Sequence, residues 1–174
     1  FVFLSNFTTA PSQSVIPVFT STKNKIILFE EKNQIEVSPK DIGSGVAQVL
    51  PIVVGLADYD DVLVLAVEQP ELHVHPAIQQ KIADMVISFK FATNLIILET
   101  HSEHIMLRLL RRIEETAANE LPDPDYGLKP EEVSVVYVEP NEKGVEMTQL
   151  PIDETGEFTR HWPRGFFEER AEDL

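Results

Sequence analysis

The chain has 174 residues, of which 43% are hydrophobic, and its 14 basic and 29 acidic residues give a net charge of −15. A chain of this size can bury a hydrophobic core, and we expect one domain, with room for an appendage. The absence of cysteine excludes disulfides, thiol nucleophiles and zinc–thiolate sites. No apolar run approaches the roughly 18 residues that a membrane span needs, and the acidic balance disfavours non-specific adhesion to nucleic acid or anionic membranes. These properties predict a cytoplasmic protein that does not associate with membranes.

The first 40 residues predict a β-rich lead-in. Two β-like runs, residues 25–29 and 34–37, are separated by polar residues and predict a hairpin. Apolar residues then recur at helical spacing after Gly43-Ser44-Gly45, at positions 46, 49, 50, 53, 54 and 57. We expect a helix there, kinked at Pro51 because proline removes one backbone donor.

Two strand–helix units follow. Residues 62–67 predict a buried strand, and His75-Pro76 opens a helix with apolar positions 78, 82, 85, 86 and 89. Residues 95–98 predict a second strand, and Thr100 with Glu103 predicts a capping box for a helix with apolar positions 105, 106, 109, 110 and 113. The alternating order predicts an α/β fold with a mainly parallel sheet flanked by helices.

The C-terminal part predicts a second hairpin and a tail. Residues 133–138 and 145–150 predict strands around a turn at 141–144, and residues 151–174 form the tail. The aromatic residues of the tail either dock onto a partner or, as we favour, pack on their own domain; they are Trp162, Phe166 and Phe167.

Three arginines on the predicted 105–113 helix have two possible uses. Arg108, Arg111 and Arg112 share one helical face. They meet phosphate or DNA in one interpretation. In the interpretation that we favour, they pair with surplus acids such as Glu114 and Glu115.

Polar motifs stand where the central elements begin or end. Gly43-Ser44-Gly45 precedes a helix, Glu68-Gln69 follows a strand, and Thr100-His101-Ser102 follows the next strand. Since parallel strands end at the same edge of a sheet, we expect the last two motifs to lie side by side. A carboxylate at a strand tip is placed where α/β folds hold a metal ion or activate water.

The order of these motifs resembles a known class of ATPase. GSGVAQVLP, VLAVEQPELHVHP and ILETHSEH resemble the C-terminal half of an ABC-type ATPase head, as in RecF-like, overcoming-lysogenization-defect-like and related AAA-type ATPases. The tail from Gly156 to Arg170 resembles the terminal region of the bacterial DUF3696 family. The resemblance implies that residues 1–174 form one lobe of a P-loop ATPase head. Residues 1–40 are then the lead-in, 41–121 the signature, Walker B and His-switch region, and 122–174 the C-terminal strands and tail.

The resemblance also implies roles for individual residues. Ser44 and Gly45 correspond to the signature loop, which faces the γ-phosphate bound by the opposite subunit. Glu68 corresponds to the Walker B acid that holds Mg²⁺ through water. Gln69 stands where many such ATPases place the glutamate that polarises the attacking water, and an amide can orient water but cannot take its proton.

Other polar residues are open to more than one interpretation. By resemblance, His101 corresponds to the switch histidine that bonds the γ-phosphate, and Glu71 and His101 are the available substitutes for the missing base. His75 either contacts the second subunit at the D-loop position or caps the helix opened by Pro76. A zinc site is a weaker alternative, because the spacing specifies no clear third ligand. Its candidate ligands are Glu71, His73, His75, His101 and His104.

The phosphate-binding motif GxxxxGK[ST] occurs nowhere in the sequence. The resemblance therefore implies a Walker A lobe upstream, or on another chain, with this chain a fragment; a truncated pseudo-enzyme is the alternative. The expected function is ATP hydrolysis with Mg²⁺ in a head-to-tail homodimer. Repair or anti-phage defence, DNA contact and a nuclease or effector partner are associated with the family. The alternative is a nucleotide-gated dimerisation scaffold that hydrolyses little ATP.

Overall fold

The computed structural model describes residues 2–5, 28–30, 35–37, 43–57, 64–89 and 95–163. The α-helices in these residues are α1 (Ser44–Ala57), α2 (Pro76–Ser88) and α3 (Glu103–Ala118). The strands are β1 (Val2–Ser5), β2 (Leu28–Glu30), β3 (Ile35–Val37), β4 (Val64–Glu68), β5 (Leu95–Glu99), β6 (Val133–Asn141) and β7 (Gly144–Leu150). The elements expected from sequence in the described residues are therefore all present, and β1 is additional.

The main sheet has five strands in the order β4-β5-β1-β6-β7. Strands β4 and β5 are parallel, whereas β1 is antiparallel to both β5 and β6, and β7 is antiparallel to β6. An α/β fold is confirmed, but a mainly parallel sheet is not, since β4–β5 is the one parallel pair among the described strands. The difference arises because β1 enters from the lead-in with reversed direction and β6–β7 is a hairpin. The hairpin expected in the lead-in, β2–β3, is confirmed as a separate two-stranded sheet.

An apolar cluster of the described residues joins the three α-helices to the sheet. Its members include Ile52, Leu56, Ile82, Val86, Ile87, Ile96, Leu98, Ile105, Leu109, Ile113, Val135 and Leu150. The apolar face expected for α3 is confirmed, because Ile105, Met106, Leu109 and Ile113 are all buried. Burial of such side chains contributes about 1.5–3 kcal/mol each.

The apolar face expected for α1 is partly wrong. Val46 and Val54 are 48% and 41% exposed, whereas Ile52 and Leu56 enter the core. The reason is the way α1 meets β4: a side chain at Gly55 would lie 3.1 Å from the Leu65 side chain, so the helix approaches the strand on that side. Periodicity alone did not separate these two adjacent faces.

Strand β4 is not fully buried, contrary to expectation. Leu65 and Val67 pack against the core, while Val64, Ala66 and Glu68 are exposed. The cause is position, because β4 lies at the end of the described sheet and packs through one face. Its apolar sequence therefore does not by itself indicate burial on both sides.

The start of α3 also differs from the expected capping box. Ser102 is the N-cap, and its hydroxyl accepts a hydrogen bond from the Ile105 amide at 3.1 Å. Thr100 lies outside the helix, where its Oγ1 accepts a bond from the Ser102 amide at 3.0 Å. The box of Thr100 and Glu103 is therefore wrong, because the chain needs two more residues after β5 before it turns into the helix.

A buried ionic cluster fastens α2 to α3. Asp84 on α2 accepts bonds from the guanidinium groups of Arg108 and Arg112, with closest distances of 2.8 Å to each. Glu115 pairs with Arg111 and Arg112, and the Arg112 guanidinium lies 4.8 Å from the centre of the Tyr126 ring. The expectation that the arginines pair with acids is confirmed, although the main partner, Asp84, was not foreseen.

The tail packs on its own domain as far as it is described. Trp162 makes edge-to-face contacts with Tyr137 and Phe158, with ring centres 5.9 Å and 5.1 Å apart. Phe166 and Phe167 lie outside the described residues. No helix in the described residues is long and apolar enough to span a membrane.

Helix α1 begins in close contact with the loop between β4 and α2. A Cβ atom at Gly45 would lie 2.8 Å from the carbonyl oxygen of His73, whereas a Cβ atom at Gly43 would have nothing within 4 Å. Gly45 therefore permits an approach of backbone to backbone that a side chain would prevent.

We expect Asp84→Asn to lower the free energy of unfolding by about 3 kcal/mol, because it leaves two largely buried arginines without their counter-ion. Urea denaturation measures the effect. The control is Arg111→Ala, whose side chain is 66% exposed and whose removal should cost less than about 1 kcal/mol.

The contacts of Asp84 also make the stability of the fold depend on pH. Burial alone would raise the pKa of the Asp84 carboxyl, but hydrogen bonds from Arg112 and Arg108 outweigh burial and lower that pKa. The stabilisation is therefore complete above the unfolded pKa of about 3.9 and is lost as the pH falls through the lowered folded pKa. The difference in stability between wild type and Asp84→Asn should shrink below about pH 4, and a pH-independent difference would contradict this account.

We expect Gly45→Ala to destabilise the chain by about 1–3 kcal/mol, because the new methyl group meets a backbone oxygen that cannot rotate away. Gly43→Ala is the matched control, since its surroundings are open. Thermal and urea denaturation of both variants test the contact. Equal stability of the two variants would show that the start of α1 does not contact the His73 backbone as described.

Candidate functional site

The ends of β4 and β5 bring two of the polar motifs together. The parallel register runs from Val64 beside Leu95 to Glu68 beside Glu99. The Gln69 amide then donates to the Glu99 carbonyl at 2.8 Å, so pairing continues past the end of β4. Glu68-Gln69 and Thr100-His101 therefore leave the sheet at the same edge, as expected from the sequence.

The segment that joins β4 to α2 is a tight turn, which we call the 69–75 loop. The Leu72 amide donates to the Gln69 carbonyl at 3.2 Å, and the Val74 amide donates to the Glu71 carbonyl at 3.0 Å. Gln69 and His73 have φ values of 45° and 59°, in the left-handed region that side chains disfavour. Such a conformation persists when surrounding contacts hold it.

Glu71 provides one of those contacts. Its Oε2 accepts a hydrogen bond from Thr100 Oγ1 at 2.7 Å, and its Oε1 accepts one from the His101 amide at 2.7 Å. Both carboxylate oxygens thus face the segment that follows β5. Hydrogen bonds to an ionised carboxylate are stronger than those between neutral groups.

Gln79, one turn into α2, makes a second connection. Its Nε2 donates to the Val74 carbonyl at 2.8 Å, and its Oε1 accepts from Ser102 Oγ at 2.5 Å. The amide therefore joins the end of the 69–75 loop to the N-cap of α3. Both amide positions of Gln79 are used in this arrangement.

The start of α1 approaches the same loop from another side. Gly45 contacts the His73 backbone, and Ser44 is exposed at the first position of the helix. A helix N-terminus presents backbone amides that favour anions. All three sequence motifs therefore gather around the 69–75 loop.

The candidate residues differ in exposure and in the local contacts that they make. Glu68, His75 and His101 are exposed, whereas Gln69 and Glu71 are half-buried. His75 is the N-cap of α2, and its Nδ1 accepts from the Ala77 amide at 3.2 Å, which confirms the capping role expected as one of two. Its contact with a second subunit stays a prediction.

Sequence reasoning missed the residues that connect the motifs. Gln79 and Ser102 had no assigned role, and Thr100 was assigned to a capping box instead of a bond to Glu71. Periodicity identifies which helical face is apolar, but it does not reveal which polar side chains meet across 23 or 29 residues of sequence.

The zinc alternative finds no support in the described geometry. Glu71 and all four histidines considered for it lie in described segments, and no group of three or more His, Asp or Glu residues there is close enough to hold a metal ion. The arrangement instead offers one exposed carboxylate, Glu68, at a strand tip.

Two protein families match parts of this sequence. Residues 4–107, more than half of the chain, match the family described as "AAA domain, putative AbiEii toxin, Type IV TA system". Residues 128–174 match the family described as "Protein of unknown function (DUF3696)". No curated protein and no solved structure gives a significant match. The chain therefore belongs to the AbiEii-type AAA family of ATPase-related proteins, and it carries a DUF3696 region at its C-terminal end.

Proposed function

We propose that this chain provides one side of a site that binds ATP with Mg²⁺ and hydrolyses it. One observation carries the proposal: Glu68, Gln69 and His101 emerge at one sheet edge, from strands whose register pairs Glu68 with Glu99. Membership of an AAA family supports nucleotide binding as the general function. The alignment of these polar tips supplies a reason for placing the reacting phosphate there.

Glu68 is the proposed magnesium residue. Mg²⁺ usually keeps several waters and uses one or two carboxylates together with phosphate oxygens. Glu68, an exposed carboxylate at the strand tip beside Glu99, fits that requirement, whereas a cage of several protein ligands is not needed. The bound ion would neutralise charge that develops on the transferred phosphoryl group.

Gln69 and His101 are the residues proposed to act on the γ-phosphate and its attacking water. Gln69 orients the water through its amide, and the exposed His101 imidazole donates to a phosphate oxygen. The proton of the water goes to His101 or Glu71 in this scheme, because an amide cannot accept it. Of the two, His101 is exposed at the edge, while Glu71 is occupied by the bonds to Thr100 and His101.

The phosphate-binding loop must come from a Walker A lobe, since GxxxxGK[ST] does not occur in the sequence. We propose that Ser44, Gly45 and the start of α1 cover a nucleotide held by a second subunit in a homodimer. The exposed His75 is the last residue of the 69–75 loop and is available for contact with that subunit. We refer below to this chain together with a Walker A lobe as the assembled ATPase.

The biological process and the partners of the assembled ATPase are proposed from the resemblance alone. Repair or anti-phage defence in the cytoplasm, with a nuclease or other effector and with or without DNA, is consistent with the type of ATPase. A second candidate function is a nucleotide-gated dimerisation scaffold with little hydrolysis. Gln69 favours this candidate, because its amide lacks the basicity of the usual glutamate.

Single-turnover ATP hydrolysis by the assembled ATPase tests the proposal. We expect wild-type protein to hydrolyse ATP and Glu68→Gln to lower the rate by at least about 100-fold, because the carboxylate that would hold the hydrated magnesium ion is lost. Glu142→Gln, at the exposed β6–β7 turn, is the control for removing one carboxylate and should leave the rate unchanged.

The companion variant Gln69→Glu separates the two candidate functions. An enzyme already active with Gln69 changes its rate modestly. A scaffold gains hydrolysis that wild type lacks, because the new carboxylate is able to take the proton of the water. Absence of ATP binding by wild type would contradict both functions.

A further inference from the structure

Two side-chain bridges join the 69–75 loop to the segment 100–102, which we call the His101 segment. In the first bridge, Glu71 accepts from Thr100 Oγ1 and from the His101 amide, each at 2.7 Å. In the second, Gln79 links the Val74 carbonyl to Ser102 Oγ. The first bridge meets the 69–75 loop at Glu71 and the second meets it at Val74, so a shift of one segment relative to the other breaks at least one bridge.

The two segments carry the proposed partners of one reaction. Gln69 begins the 69–75 loop and His101 lies in the middle of the His101 segment. Beyond the single bond from the Gln69 amide to the Glu99 carbonyl, regular strand pairing has ended here. The side-chain bridges are therefore the described contacts that hold the His101 segment against the 69–75 loop, which begins at Gln69.

Glu71 has the geometry of a residue that positions others. Each of its oxygens faces one group of the His101 segment, and the bond to the His101 amide acts on the backbone that carries the imidazole. Thr100 Oγ1 extends the bridge, because it also accepts from the Ser102 amide at 3.0 Å. A chain of bonds thus runs from Glu71 through Thr100 to the N-cap of α3.

We propose that Glu71 is a positioning residue for ATP hydrolysis and not its base, and that Gln79 with Ser102 is the second positioning pair. The inference rests on the proposed function, since it assigns roles within that site. The bridges keep His101 in register with Gln69 and hold the left-handed turn at Gln69. A displacement of about 1 Å in a reacting group can reduce a rate by about 100-fold, so such support is significant for turnover.

A conservative variant separates positioning from proton transfer. Glu71→Gln retains an oxygen that accepts from the His101 amide and gains an NH₂ that donates to Thr100 Oγ1, whose own proton then rotates away. It preserves the bridge but has no basic oxygen. In the assembled ATPase, Glu71→Ala should lower kcat by about 10- to 100-fold with little change in KM for ATP, and Glu71→Gln should recover most of that loss.

Thr100→Val tests the bridge without touching any group that accepts a proton. We expect a smaller loss of kcat than in Glu71→Ala, and we expect the double variant to lose less than the product of the two single effects. For the second bridge, Gln79→Ala should lower kcat, while its exposed neighbour Gln80→Ala should not. If Glu71→Gln is as inactive as Glu71→Ala while Thr100→Val behaves as wild type, Glu71 is the base and the proposal is overturned.

Hydrogen exchange of the His101 amide, measured on this chain without nucleotide, distinguishes failure of the bridge from failure of the proposed function. Glu71→Ala should accelerate exchange at His101, and Glu71→Gln should not. Unchanged exchange in Glu71→Ala overturns the bridge whatever the enzymology shows. If exchange accelerates in Glu71→Ala but the wild-type assembled ATPase binds no ATP, the proposed function is overturned, and with it the positioning role, while the bridge itself stands.

Discussion

The parallel pairing of β4 with β5 is the constraint on which the arrangement of polar residues depends. Its register places Glu68 beside Glu99, so the chain leaves both strands at the same level and on the same edge. Each strand is followed at once by a polar segment and then by a helix, α2 or α3. Because α2 and α3 are fastened by Asp84, the two polar segments are held at both ends.

Much of this fold follows from local pattern. Alternating strands and amphipathic helices predicted β5, α3, both hairpins and the common edge of the two motifs. Strand β1 was missed because four residues in a lead-in carry little local signal, and its partners Leu98 and Val135 lie far along the chain. The exposure of β4 was missed for a related reason, since apolar sequence does not show whether a strand is central or at an edge.

The sequence indicated which segments meet at the candidate site, and it was less informative about how they are connected. Resemblance indicated Ser44, Glu68, Gln69 and His101, and the structure gathers their segments around one loop. The turn at Gln69 was not predictable, because left-handed backbone there is adopted by a glutamine and not by glycine. Gln79 and Ser102 were also missed, since hydrogen bonds between side chains on different elements produce no periodic pattern in the sequence.

The arginines of the α2–α3 cluster restrict which amino acids these positions tolerate. The Arg112 guanidinium forms ion pairs with both Asp84 and Glu115 and lies against the Tyr126 ring. A lysine would keep the charge, but its single ammonium lacks the planar fork and stacks poorly on a ring. Exchange of arginine for lysine at this position is therefore not a neutral step in the divergence of such a sequence, even though it leaves the net charge unchanged.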